Sequence, residues 1–159
     1  MQFRVAPKVI FSNPVHFLAF GFGSGLSAKA PGTVGTLVSL PMVLMMMHSS
    51  LWGYLVCLVV LTIFGVYICG ESARRLGIHD HPGIVWDEFV GMAITMTAVP
   101  FSWLNLLLGF VMFRFFDIVK PWPIREVDHS LSGGIGIMLD DILAGVFSCA
   151  LLHGLIQIV

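Results

Sequence analysis

The chain has 159 residues, of which 57% are hydrophobic and 11% are charged, and its formal net charge is −1. An ordinary soluble domain is about 45–50% apolar and about 25% charged, so this composition predicts a single membrane-embedded domain over residues 1–159. The chain contains no basic patch large enough to follow a phosphate backbone, which excludes nucleic acid as its partner.

The predicted elements begin after a mildly basic lead, residues 1–13, in which no cleavable signal peptide is expected. Asn13 and Pro14 favour the start of a short interfacial helix, Pro14–Phe20. A glycine-rich re-entrant loop, Gly21–Thr36, follows. The apolar runs are Val34–Met47, Leu51–Gly70, Ile84–Val99, Leu104–Phe116 and Ile137–Val159. These patterns predict an all-α, integral membrane helical bundle with about four to five spanning helices.

The charged residues are predicted to lie at one end of this bundle. All eight Lys and Arg residues precede the first run or follow the second or fourth, whereas the turns at His48–Ser50 and Pro100–Trp103 carry no charge. Because Lys and Arg are enriched in cytoplasmic loops, we expect a multi-pass protein of the bacterial cytoplasmic (inner) membrane whose charged face is cytoplasmic.

The cysteines indicate neither a disulfide framework nor a zinc site. Cys57, Cys69 and Cys149 all lie in apolar runs and have no CxxC spacing. We therefore expect three buried thiols that behave as small hydrophobic residues.

Five carboxylates lie within or beside the apolar runs. They are Asp87, Glu88, Asp117, Asp140 and Asp141. A charge at the centre of a bilayer costs roughly 2.5–3.5 kcal/mol on insertion scales, so we expect all five at the charged interface or in a polar cavity that opens onto it. The predicted topology brings them to the same end as the glycine-rich loop.

This combination of side chains favours a divalent cation and a phosphate. Hard carboxylate oxygens suit Mg²⁺, which commonly keeps water and phosphate oxygens in its coordination shell. Cationic side chains and the exposed N–H groups of the loop suit the remaining phosphate oxygens. The candidate phosphate ligands are Ser24, Lys29, Thr33, Arg114, Lys120 and Arg125, and the further candidate metal ligands are His79, Asp80 and His81.

Each group also has a structural interpretation. The two pairs of adjacent carboxylates could complement helix N-termini, and Arg114, Asp117 and Lys120 are spaced as a ladder of surface ion pairs. Lys29 and Arg125 could be ordinary interface charges. The histidine-containing loop could be simply polar, and the glycine-rich segment could be only a tight turn.

Several motifs together resemble the phosphatidylglycerophosphatase A family. They are Asn13–His16, Gly21–Leu26, Ala30–Gly35, His79–His81, Val85–Phe89, Phe113–Ile124 and Gly134–Ile142. The resemblance implies an all-helical, Mg²⁺-dependent lipid phosphatase whose active site faces the cytoplasm. Its substrate would be phosphatidylglycerophosphate, hydrolysed to phosphatidylglycerol and phosphate in phospholipid biosynthesis.

The resemblance leads to a hypothesis for the role of each residue. Mg²⁺ would be held by the paired carboxylates Asp87, Glu88, Asp140 and Asp141, with Asp117 as a further ligand or as the base for water. Arg114, Lys120 and the glycine-rich loop would hold the phosphate. An aspartyl-phosphate on Asp87 or Asp141 is the alternative to direct attack by water.

The sequence features argue against two other functions. A CDP-alcohol phosphotransferase begins its signature with Asp-Gly, which does not occur in this chain. A small ion or solute transporter subunit would need charges towards both faces of the membrane. The sequence leaves open the oligomeric state, the number of metal ions, the role of each carboxylate and the activity on other lipid phosphates.

Overall fold

The computed structural model describes residues 5–78, 81–126 and 131–158. The helices are α1 (Pro7–Phe11), α2 (Pro14–Ala19), α3 (Pro31–Met47), α4 (Leu51–Leu76), α5 (Trp86–Thr95), α6 (Trp103–Val119) and α7 (Gly133–Ile158), with a 3₁₀ segment at Gly21–Leu26. No strand occurs in these ranges, so the all-α prediction is confirmed for the described part of the chain.

Helix α4 is longer than the apolar run that predicted it. The side chain of Ser50 accepts a hydrogen bond from Gly53 N and caps its first turn. The helix continues six residues beyond Gly70 and ends at Gly77, whose φ of 66° is a conformation that favours glycine. The charged residues after Gly70 are accommodated because Glu71 pairs with arginines on the same helix.

The glycine-rich segment is shorter than the loop predicted over Gly21–Thr36. Phe22 and Gly23 have φ values of 59° and 92° and interrupt the 3₁₀ segment. Helix α3 already begins at Pro31, where a missing N–H is tolerated. The prediction of a loop extending to Thr36 is therefore wrong, since the last six of its residues belong to α3.

Helix α5 lies at the centre of the molecule and is shorter than predicted. It packs against α3, α4, α6 and α7, and eight of its 10 residues are buried. The chain leaves the helix after Thr95 and passes through Ala98, whose φ is 57°. The prediction of one continuous helix over Ile84–Val99 is wrong, and α5 is only about 15 Å long.

Side chains of neighbouring helices allow α5 to end inside the bundle. The hydroxyl of Tyr54, on α4, donates to Ala93 O at 2.5 Å. On α7, His153 Nε2 donates to Thr97 O at 2.9 Å, and the thiol of Cys149 lies 3.7 Å from the same oxygen. Because the last carbonyls of a helix have no partner within it, the contact to Ala93 O stabilises the early end of α5, and the contacts to Thr97 O hold the turn that follows it.

Two of the described helices, α4 and α7, are long and apolar enough to cross a membrane. Helix α4 exposes large apolar side chains along its length, among them Val56, Val59, Val60 and Ile63. Helix α3 is also apolar but has only 17 residues. The predicted count of four to five spanning helices is therefore not confirmed.

Glycines bring the start of α7 against α4 and α5. A Cβ added to Gly134 would overlap Val66 O and lie 3.0 Å from Gly70 N. A Cβ on Gly91 would lie 2.9 Å from Asp141 O. Such close approach of backbones at small residues is typical of helices packed in membranes. It places the paired carboxylates of α7 beside those of α5.

The cysteines are free thiols with different environments. Cys69 is buried, whereas Cys57 and Cys149 are half-buried. The expectation of three buried thiols is thus confirmed only for Cys69.

Helix α7 also begins four residues before the predicted Ile137.

Candidate active site

The five predicted carboxylates come together from three helices. Asp87 and Glu88 lie in the first turn of α5, and Asp117 lies near the end of α6. Asp140 and Asp141 lie in α7. Two groups of oxygens each fall within 4.8 Å: the first triad is Asp87, Glu88 and Asp141, and the second triad is Asp117, Asp140 and Asp141.

The first triad contains buried oxygens that no described residue satisfies. Asp87 Oδ1, Glu88 Oε2 and Asp141 Oδ2 are inaccessible and have no hydrogen-bond partner in the described chain. Asp141 is only 2% exposed, and Glu88 is 8% exposed. Leaving a buried carboxylate oxygen unpaired is costly. Hard oxygen donors of this kind fit a divalent cation such as Mg²⁺.

Arg114 connects the two triads. Its Nη1 lies 2.5 Å from Asp117 Oδ2 and 3.7 Å from Glu88 Oε1. The same nitrogen donates to Thr36 Oγ1 at 3.4 Å. Its Nε is buried and has no partner among the described residues. The guanidinium therefore has a donor left for an anion that enters the site.

Lys120 provides the second cation of the site. It ends α6 with a φ of 45°. Its Nζ lies 2.7 Å from Asp140 Oδ2. The predicted grouping of Arg114, Asp117 and Lys120 is thus observed as two ion pairs, one within α6 and one between α6 and α7.

The first turn of α3 covers one side of the carboxylates. A Cβ added to Gly32 would overlap Glu88 Oε1. Thr36 is fully buried and donates to Gly32 O at 2.9 Å while accepting from Arg114. Thr33 lies in the same turn. Gly32 and Thr36 were predicted to contribute only as members of the phosphate-holding loop Gly21–Thr36, and their contacts with Glu88 and Arg114 were not predicted.

Three other predicted phosphate ligands, Ser24, Lys29 and Arg125, have different described surroundings. Ser24 Oγ donates to Phe20 O at 3.4 Å, within the glycine-rich segment. Lys29 and Arg125 are exposed. Among the described contacts, none joins these three residues to either triad.

The predicted histidine-containing loop is described only in part, since His79 and Asp80 lie outside the described residues. His81 is buried, and its Nδ1 accepts from Gly83 N at 2.9 Å. It lines a cavity of about 340 Å³ together with Phe20 and Pro31. Because Pro31 precedes Gly32, this cavity adjoins the side of the site formed by α3.

His16, from the first family motif, has a structural contact. Its Nδ1 lies 2.8 Å from Ser72 Oγ, and both side chains are buried between α2 and α4. Burial lowers the pKa of His16 below its usual value, and the nearby charge of Arg75 lowers it further. Neutral His16 thus holds the N-terminal helices against α4.

Taken together, the site can hold a divalent cation and an anionic group side by side. The unpaired oxygens of the first triad suit the cation. The unpaired Nε of Arg114 suits the anion, and a phosphate has the charge and geometry to use it.

The chain was compared with known families and proteins. The family model described as Phosphatidylglycerophosphatase A matches residues 17–156. The chain is 48% identical over 147 residues to phosphatidylglycerophosphatase A of Escherichia coli, covering 92% of this chain and 86% of the relative. It is 46% identical over 145 residues to the protein of the same name from Haemophilus influenzae, covering 89% and 88%.

A more distant relative carries a different name. The chain is 37% identical over 141 residues to a putative phosphatidylinositol-3-phosphatase of Bacteroides thetaiotaomicron, covering 83% of this chain and 87% of the relative. No solved structure matches the chain.

Proposed function

The chain belongs to the phosphatidylglycerophosphatase A family and is a phosphatase, and we propose that it hydrolyses the terminal phosphomonoester of phosphatidylglycerophosphate to phosphatidylglycerol and phosphate. One observation supports this proposal above the others. Three buried carboxylate oxygens without a described partner lie beside an arginine that also has an unused donor. That pairing of acceptor and donor groups suits a metal ion and a phosphate ester.

Mg²⁺ is the cation that we propose for the site. Asp87, Glu88 and Asp141 would hold it through the oxygens that have no partner among the described residues, with Asp117 and Asp140 close by. When bound, such a cation neutralises charge on the phosphate and lowers the pKa of a coordinated water. Mg²⁺ commonly binds one or two protein carboxylates, so the three carboxylates of the first triad provide enough ligands for it.

The phosphate would be held by α6 and by the start of α3. Arg114 is available through Nε, and Lys120 can exchange its contact with Asp140 for one with phosphate. Thr33 lies in the first turn of α3, where the positive end of the helix dipole favours an anion. Ser24, Lys29 and Arg125 have no described contact with either triad, so this proposal does not include them.

The reaction forms a bond between a water oxygen and phosphorus and breaks the bond between phosphorus and the glycerol oxygen. Asp117, adjacent to Arg114, would accept the proton of the attacking water through one carboxylate oxygen and later release it to solvent, and the leaving glycerol oxygen would take up a proton from solvent. Rapid acid quenching with ³²P-labelled lipid tests this route. A labelled aspartyl-phosphate would instead make Asp87 or Asp141 the nucleophile.

The proposed place of action is the bacterial cytoplasmic membrane, with the site open to the cytoplasm. The charged residues of the site belong to the first turn of α5, the end of α6 and the N-terminal half of α7, whereas the turns before α4 and α6 carry no charge. The enrichment of Lys and Arg on the cytoplasmic side supports this orientation. A lipid with a phosphorylated headgroup would then meet the site at the membrane surface, in phospholipid biosynthesis.

Phosphate release from phosphatidylglycerophosphate in detergent micelles tests the function. We expect release with Mg²⁺ and none with EDTA, and a loss of at least ~10²-fold in Asp87→Asn and in Glu88→Gln. Glu126→Gln, at an exposed position, is the control and should match the wild type. Phosphatidylinositol 3-phosphate is the comparison substrate. Faster hydrolysis of that lipid, or no release with any divalent cation, would refute the proposed reaction.

A further inference from the structure

The two triads share Asp141 but differ in how their charges are balanced. In the second triad, Asp117 lies 2.5 Å from Arg114 and Asp140 lies 2.7 Å from Lys120. In the first triad, the nearest described cation contact is the 3.7 Å separation between Glu88 and Arg114. The protein therefore supplies its own cations to the second triad and leaves the first triad to be neutralised from outside.

The overall charge of the site points to more than one external cation. Among the described residues, five carboxylates face the two cations paired with them, which gives a formal charge of −3 when all are ionised. One divalent cation leaves −1, which repels a dianionic phosphomonoester, whereas two divalent cations leave +1 and attract it. Empty of phosphate, however, the second triad has little negative charge left to hold a second cation.

We propose that phosphate binding and the uptake of a second divalent cation are coupled through Arg114 and Lys120. A phosphate dianion draws the guanidinium and the ammonium towards itself and away from Asp117 and Asp140. The oxygens released in this way, together with Asp141, then bind the second cation. This inference rests on the proposed metal-dependent phosphatase function and concerns how the same site is loaded.

Asp141 is suited to bridge the two cations. It belongs to both triads, is 2% exposed, and its Oδ2 has no partner in the described chain. A pair of divalent cations that stabilises both the attacking and the leaving oxygen is a recurrent arrangement in phosphatases. Here the second cation would arrive with the substrate, so that the complete site forms only when phosphate is present.

Binding of Mn²⁺ to the full-length protein in detergent provides the test, with electron paramagnetic resonance as the readout. We expect one Mn²⁺ per chain without phosphate. With inorganic phosphate we expect two, and a spectrum that shows spin coupling between them. The affinity for the second Mn²⁺ should rise about tenfold or more, and by reciprocity Mn²⁺ should tighten phosphate binding by the same factor.

Two variants separate the sites. Asp117→Asn should keep the first Mn²⁺ and lose the second at every phosphate concentration. Lys120→Gln removes the cation paired with Asp140 and should bind the second Mn²⁺ without phosphate. Retention of the first Mn²⁺ shows that each variant is folded, and Glu126→Gln is the control with wild-type behaviour.

The inference and the proposed function can fail separately. Two Mn²⁺ ions in the wild type without phosphate, a single ion with saturating phosphate, or a Lys120→Gln variant that behaves as wild type would each overturn the coupling, even if the lipid is hydrolysed. Stepwise binding of two ions without hydrolysis of phosphatidylglycerophosphate would support the coupling and refute only the proposed substrate.

Discussion

Gly32, in the first turn of α3, lies directly against the carboxylate of Glu88, in the first turn of α5. A Cβ at Gly32 would overlap Glu88 Oε1 and would lie 3.1 and 3.2 Å from Arg114 Nη2 and Nη1. Gly32 lies within a helix, so its backbone conformation does not require glycine. Glycine is needed here because a side chain would occupy the space that Glu88 and Arg114 fill. The contact makes α3 a wall of the candidate active site.

Gly32→Ala is predicted to reduce phosphate release by about 10–100-fold. The added methyl group displaces Glu88 and Arg114, and a shift of about 1 Å in a positioned group can cost 10²-fold in rate. Initial rates with the lipid substrate measure the effect. Gly154→Ala is the matched control, because a Cβ there meets nothing within 4 Å. Equal activity in the two variants would show that α3 does not border the reacting groups.

Arg114→Lys is predicted to lower kcat/KM by about 10²-fold although it keeps the charge. A lysine ammonium cannot reproduce the planar group that contacts Asp117, Glu88 and Thr36 together. Steady-state kinetics in detergent measure the change. Arg74→Lys, at a side chain that is 72% exposed, should be unaffected. A wild-type rate in Arg114→Lys would mean that the site requires only a positive charge.

Asp141→Asn is predicted to abolish the stabilisation of the protein by Mg²⁺. A ligand that binds only the folded state adds about 2.7 kcal/mol at a concentration of 100 Kd, and Asp141 belongs to both triads. The rise in Tm on adding Mg²⁺ measures this binding without reference to activity. Glu126→Gln should show the full rise. An unchanged rise in Asp141→Asn would place the cation elsewhere.

The stability of the protein is predicted to fall as the pH drops below about 6.5, partly through His16. The pKa of His16 in the fold is lowered by burial and by Arg75, against a smaller opposite effect of Glu71. The unfolded chain therefore binds a proton that the folded chain does not, and acid favours unfolding. The contribution of His16 to stability is fully present above the pKa that this histidine has in the unfolded chain, and it is lost below that pKa.

Thermal unfolding in detergent at pH 7.5 and pH 5.5 measures this dependence. The decrease in Tm between the two pH values should be smaller in His16→Gln than in the wild type, since the glutamine does not titrate. The comparison of the two proteins cancels the other titrating groups that they share. An identical decrease would show that His16 is not a source of the acid sensitivity.

Local sequence patterns predicted helix boundaries best where residues near the boundary determine it. The start of α4 was predicted correctly at Leu51, where Ser50 caps the first turn. Its end was predicted at Gly70, although the helix continues to Leu76. The early end of α5 could not be predicted in this way, because it depends on contacts from other helices: Tyr54 donates to Ala93 O, and His153 donates to Thr97 O just beyond the helix. The residues after Thr95 remain as apolar as those before it, so composition shows no boundary.

By itself, the sequence determined that the chain is helical and apolar, and that its carboxylates belong at one charged end, because a buried charge in so apolar a chain is tolerated in few places. Only the tertiary structure decided which groups meet. Thr36 and Arg114 are 78 residues apart, and Asp141 joins two triads because glycines let α5 and α7 approach. Contacts between distant residues depend on helix packing, which spacing along one helix does not encode.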